Sequence, residues 1–147
     1  MSTEDLGRHG PGTAMVSGGF DPLHPGHILY FREAAGLGLP ILCNITGDHY
    51  VSRKHPPLLP ADQRVQVVDA IRYVDVVHVS ELTTVEVLER ARPEVFVKGE
   101  DWRGRLPQEE VEVCERAGIE VVYLDTVISS SSGILADYDE RLRRARS

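Results

Sequence analysis

Apolar and polar positions along the chain fall into blocks that switch between two periods. Short apolar runs at 13–17, 41–46, 74–79, 95–97 and 119–124 have the length and density of buried strands. Between them, apolar residues recur at helical spacing. The first such stretch is 27–36, with stop signals in Gly36, Gly38 and Pro40. The second, 61–71, puts Val65, Val68 and Ile71 on one face and Asp62 in its first turn. The third is capped by Thr83 or Thr84 and turns Val85, Leu88 and Ala91 inward. Pro107 opens the fourth, with Val111, Cys114 and Ala117 inward and Gly118 as its stop. A final helix follows the serine run 129–132 and ends in Arg141, Arg143, Arg144 and Arg146.

Five strands alternating with about five helices predict right-handed βαβ crossovers. The expected fold is therefore α/β: a Rossmann-like, doubly wound, five-stranded parallel sheet in a single domain. Residues 1–12 are polar and glycine-rich and are expected to form a flexible N-terminal arm, with the domain at 13–147. In such sheets ligands bind at the C-terminal strand ends, so the loops after strands one, two, four and five should share one rim.

Composition narrows the class without naming a chemistry. Hydrophobic residues make up 41% of the 147 and charged residues 27%, as in an ordinary globular domain. Sixteen Lys and Arg against 23 Asp and Glu give a net charge of −7, which argues against nucleic acid as the main partner. Cys43 and Cys114 lack metal-ligand spacing and read as reduced, buried thiols. No apolar run approaches membrane-spanning length, so a cytoplasmic protein with no membrane partner is expected.

The distinctive chemistry lies on the expected rim. Gly18-Gly19-Phe20-Asp21-Pro22-Leu23-His24-Pro25-Gly26-His27 links the first strand to the first helix. A strand, a glycine turn and a helix start aim backbone N–H groups and the helix dipole at an anion. His24 and His27, three apart, can share one ligand, while Gly18 and Gly19 supply amides and close approach. Asp21 orients His24, meets an acceptor group, reaches Mg²⁺ through water or simply caps the turn. The serine run offers a second anion site in which Ser130, Ser131 and Ser132 are all candidates. Lys54, with Arg53 and His55, sits on the loop after the second strand and can close over phosphates. Arg64 and Arg72 lie eight apart, roughly on one helical face, as phosphate or acceptor ligands; a salt bridge to Asp75 or Asp69 accounts for either equally well. After the fourth strand come Lys98-Gly99-Glu100-Asp101-Trp102, with Gly99 for close approach, Asp101 for ribose or base donors and Trp102 as a stacking face.

The 18–27 stretch resembles the signature turn of the HxGH nucleotidyltransferases, the cytidylyltransferase-like superfamily, and the resemblance runs from about residue 14 to 134. The 97–102 segment resembles the corresponding motif of heptose-1-phosphate adenylyltransferases, and also that of glycerol-3-phosphate cytidylyltransferases, whose arginine spacing Arg64 and Arg72 share. The chain departs from some members in having no basic residue just before or just after the serine run. The resemblance implies transfer of AMP or CMP from ATP or CTP to a phosphorylated small acceptor, a sugar phosphate or phospho-alcohol, with release of pyrophosphate. It implies His24, His27 and Lys54 as catalytic residues. Gly18, Gly19, Phe20, Arg72, Gly99, Asp101 and the serines would hold nucleotide and phosphate, and Asp21, Trp102 and Arg64 the acceptor. Mg²⁺ would arrive with the triphosphate rather than in a protein cage, and a homodimer is the common assembly among relatives. A non-catalytic nucleotide-binding sensor is the alternative from another class. The base, ATP or CTP, and the acceptor stay open.

Overall fold

The computed structural model describes residues 1–125 and 131–146, apart from the side chain of Ser132. Five parallel strands form one sheet: β1 (Ala14–Gly18), β2 (Ile41–Thr46), β3 (Val76–Ser80), β4 (Val95–Gly99) and β5 (Glu120–Leu124), in the order β3-β2-β1-β4-β5. The helices are α1 (Leu6–His9), α2 (Pro25–Ala35), α3 (Asp48–Val51), α4 (Ala61–Asp69), α5 (Thr84–Ala91), α6 (Gln108–Ala117) and α7 (Ser131–Arg146).

The alternation of side chains along a strand divides the interior into two cores. Ala14 and Val16 pack with Phe31, Ala34 and Val68, the inward residues of α2 and α4. Met15 points the other way, to Leu88, Ala91, Val113 and Cys114 of α5 and α6. Two crossovers thus cover one face and two the other, which is why the strand order reverses between β1 and β4. Cys43 and Cys114 are free thiols in separate cores; burial pushes both up, Cys114 to about 11. Among the described residues no helix is long and apolar enough to cross a membrane.

Three boundaries differ from expectation for local reasons. The loop 47–60 contains the single turn α3, begun at Gly47, where a Cβ would fall 2.2 Å from Glu81 Oε1 and 2.7 Å from the Ser80 carbonyl. Helix α4 stops at Asp69 and β3 starts at Val76; just before it, the Asp75 carboxylate accepts the Ile41 N–H at 2.8 Å and caps the neighbouring strand. The N-terminal segment is a correction. Residues 1–12 pack onto the domain: Leu6 is fully buried against the α5 core, and the Met1 ammonium donates to the Val77 carbonyl at 2.9 Å. A single leucine in a polar stretch has no period, so nothing in the pattern announces this docking.

Candidate active site

The sheet opens where its order reverses. β1 pairs with β4 only at Ala14↔Val95 and Met15↔Phe96, whereas its pairing with β2 continues to Gly18↔Ile45. The C-terminal ends of β1 and β4 therefore part and leave a cleft of about 460 Å³ between them. Buried Tyr30 braces this seam, its hydroxyl donating to the Val97 carbonyl at 2.6 Å.

The turn after β1 supplies one wall. Gly18, Gly19, Phe20 and Asp21 all line the cleft. Phe20 holds a left-handed φ of 52° and turns its buried ring under Gly18, where a Cβ would stand 3.2 Å from the ring. The same ring meets His27 edge-on at 5.0 Å and Phe31 at 5.3 Å, so the aromatic core supports the histidine.

The start of α2 fixes the histidine pair. Pro25 opens the helix and His24 is its N-cap. His24 Nδ1 accepts from the Gly26 N–H at 3.1 Å, and His27 Nδ1 accepts from the His24 N–H at 3.2 Å. With both Nδ1 atoms accepting, each neutral ring carries its proton on Nε2. The rings lie 3.8 Å apart. His27 lines the cleft, while His24 lies behind it, beside an apolar groove with Leu23 and Ile28. Burial first, and then the neighbouring His24, pull the His27 pKa down to about 4, so at neutral pH His27 is an uncharged N–H donor.

The opposite wall comes from β4 and the turn beyond it. Gly99, Asp101 and Trp102 line the cleft as expected, and Ser131 does so from the start of α7, donating to the Pro22 carbonyl at 2.9 Å. Ser130 and the Ser132 side chain lie outside the described residues. Lys98 was legible only as part of the motif after the fourth strand, yet its ammonium stands 4.3 Å from the Trp102 ring centroid and faces the cleft. Burial lowers its pKa, with Glu110 and Asp101 opposing and the Lys54 charge adding to the drop. Glu110, at the start of α6, also lines the cleft, and burial raises its pKa. Glu110 and Thr84 carried no motif; their signal was that helix N-termini in this topology meet the strand C-termini. Exposed Lys54 reaches the cleft from the segment after α3.

Two arginines and one aspartate sit differently from expectation. Arg72 is exposed in the connection from α4 to β3, beside Asp75, hence at the opposite, N-terminal edge of the sheet. Helix α4 ends at Asp69, so Arg72 lies beyond its far end while Arg64 lies in its first turn and a half. Arg64 does lie at the cleft end, but its side chain is wholly buried and its donors are taken by protein acceptors, so the structure removes it from acceptor binding. Its pull on Asp48 holds that carboxyl below its usual range. Asp21 lines the cleft, but both oxygens of its carboxylate accept backbone N–H groups, those of Leu58 and Leu59 at 2.6 and 2.9 Å. Among the described residues no three His, Cys, Asp or Glu side chains group closely enough to hold a metal ion.

Comparison with known proteins places this geometry in context. The family described as Cytidylyltransferase-like matches residues 15–137. An FAD synthase of Halomicrobium mukohataei is 32% identical over 136 residues, covering 86% of this chain and 95% of its own. One from Methanothrix thermoacetophila is 35% identical over 88 residues, 59% of this chain, so the match spans only 62% of that relative's length. The crystal structure of the lipopolysaccharide core biosynthesis protein from Thermoplasma volcanium GSS1 has the same fold, with a TM-score of 0.65 at 20% identity over 78% of this chain and 97% of that one.

Proposed function

The chain belongs to the cytidylyltransferase-like family of nucleotidyltransferases, and from that premise we propose that it transfers a nucleoside monophosphate from a nucleoside triphosphate to a phosphorylated acceptor. The observation that carries this reading is the convergence of the His27 imidazole, Lys54 and Lys98 on one cleft at the strand reversal. A site of three donors and two glycine amides suits phosphate transfer by positioning and charge stabilisation.

In the proposed step an acceptor phosphate oxygen attacks the α-phosphorus in line. The new P–O bond forms as the bond to the β-phosphate oxygen breaks, and pyrophosphate leaves with the electron pair. The acceptor phosphate is ionised at neutral pH, so no general base is needed. The His27 Nε2–H and the amides of Gly18 and Gly19 donate to the α-phosphate. Lys54 neutralises the departing pyrophosphate, and Lys98 holds the incoming phosphate across the cleft. His24 N-caps the helix and keeps His27 in its tautomer. Ser131, with its neighbours in the serine run, takes the β- and γ-phosphates. Mg²⁺ would be carried by the triphosphate rather than by protein ligands, and would supply charge neutralisation on its phosphates.

The relatives named FAD synthase favour a particular pair of substrates. FAD is FMN joined to AMP through a pyrophosphate bridge, so the reading is AMP transfer from ATP to FMN. The FMN phosphate sits on a ribityl chain and is itself a phospho-alcohol. Trp102, an exposed ring on the cleft wall, offers the kind of surface that a flavin prefers.

The test is pyrophosphate release on mixing the protein with Mg²⁺, ATP or CTP, and FMN or a panel of sugar phosphates. The expected outcome is release with ATP and FMN together with formation of FAD. Release with CTP, or with a sugar phosphate alone, overturns the substrate assignment but not the reaction class. Tight nucleotide binding with no release for any pair leaves a sensor rather than an enzyme.

A further inference from the structure

The segment 52–60 joins α3 to α4 and carries Lys54 onto the cleft wall. One pair of buried, charged side chains holds both its ends. At the far end the Asp21 carboxylate accepts the N–H groups of Leu58 and Leu59, and Arg64 Nε donates to the Leu59 carbonyl at 3.0 Å. At the near end Arg64 Nη2 donates to Asp48 Oδ1, the first residue of α3, at 2.6 Å. Arg64 Nη1 then reaches the Thr46 carbonyl at the end of β2, 2.7 Å away, and the Gly19 carbonyl in the turn after β1, 2.8 Å away. Gly19 is two residues from Asp21 and lines the cleft, so the guanidinium joins the histidine-bearing turn to the lysine-bearing segment.

Arg64 has no exposed side-chain surface, and Asp21 is 2% exposed. Burying an arginine and a carboxylate for packing alone is costly unless every polar atom is matched. The atoms they match belong to three separate stretches of chain, at 19, 46–48 and 58–59, of which Gly19 and Thr46 line the cleft. Pro56, Pro57 and Pro60 stiffen the held segment, so a shift at the anchored end is carried back toward Lys54.

We propose that Asp21 and Arg64 are positioning residues: they set where the Lys54 ammonium stands relative to His27, and the effect of Asp21 on turnover passes through Lys54. This rests on the reading of Lys54 as a phosphate ligand. It adds two residues that touch no substrate in that reading, and it turns their burial from a packing fact into a specification of the cleft.

The experiment compares Asp21→Asn, Lys54→Ala and the double variant. Asparagine keeps the shape but puts an NH₂ where one amide N–H must be accepted, so the anchor is halved. The first readout needs no substrate: trypsin cleavage after Arg53 or Lys54 is expected to run at least about tenfold faster in Asp21→Asn, with the rest of the chain as resistant as before. The second is turnover. Asp21→Asn is expected to cost at least about tenfold in the wild-type background and less than about twofold on top of Lys54→Ala, the non-additivity of residues acting as a unit. An unchanged cleavage rate overturns the anchor, and equal fold losses in the two backgrounds overturn the route through Lys54. Wild-type turnover in Lys54→Ala overturns the role of Lys54 itself, while the cleavage result still judges the anchor. If Asp21→Asn does not fold, Arg64→Lys keeps the charge, sheds the forked bonds and enters the same two readouts with the same expectations.

Discussion

His27 is a base whose surroundings disfavour its charged form, and that has consequences for rate and for stability. As an N–H donor to the α-phosphate it should be worth what such donors usually are, so His27→Ala is expected to lower turnover by about a hundredfold or more with the fold retained, measured as kcat alongside a far-UV spectrum. The sign of its effect on stability follows from a folded pKa of about 4 against 6.5 in the unfolded chain. Between those values the unfolded chain takes up a proton here that the folded protein refuses. The contribution is therefore fully present above pH 6.5 and is lost as the pH falls to 4, at no more than about 1.4 kcal/mol per pH unit. Urea midpoints should fall more steeply over that range in the wild type than in His27→Gln; parallel curves would show that burial does not depress this pKa. In the proposed step Lys98 serves the other substrate. Lys98→Ala is expected to raise the acceptor KM at least about tenfold with little change in the KM for the triphosphate, an ordering that steady-state kinetics reads directly. His24 and His27 were legible because one helical turn brings them together without help from the rest of the chain. Arg64 was not, since a sequence gives its helical face but not the three chain segments whose carbonyl and carboxylate oxygens close around it.

At the scale of elements, regular periods were legible and single contacts were not. All five strands and the four crossover helices lie where the apolar pattern puts them, within a few residues. The ambiguity at the third helix resolves to Thr83, whose hydroxyl accepts the Glu86 N–H while the Glu86 carboxylate accepts the Thr83 N–H. Thr83→Ala is therefore expected to destabilise the protein by about 1 kcal/mol, read from the urea midpoint. The N-terminal segment went unseen because its docking depends on one leucine and one missing side chain. A Cβ at Gly10 would stand 2.0 Å from the Ala91 carbonyl, a backbone atom of α5 that cannot turn aside. Gly10→Ala is expected to cost about 1–3 kcal/mol, the usual penalty for overpacking. If residues 1–12 were a loose arm, the same change would leave the midpoint where it is.

For the molecule as a whole, the strand order decides which parts of the chain must cooperate. The turn after β1 and the Lys54 segment come from the first half of the chain; Lys98, Trp102 and Glu110 come from the second. Neither half encloses the cleft alone, and it lies at the reversal of strand order, where ligands bind in open sheets. Glu110 and Thr84 escaped notice because only the assembled sheet brings two helix starts to the same rim. The parting of β1 from β4 after Met15 has a consequence of its own. A ladder that stops early leaves an aperture whose width is fixed by backbone pairing rather than by a movable lid, with the Tyr30 hydroxyl as the wedge at its apex. In the proposed reaction substrates enter a gap already cut into the load-carrying layer of the fold, so strengthening the sheet by extending that ladder would close the door through which they pass.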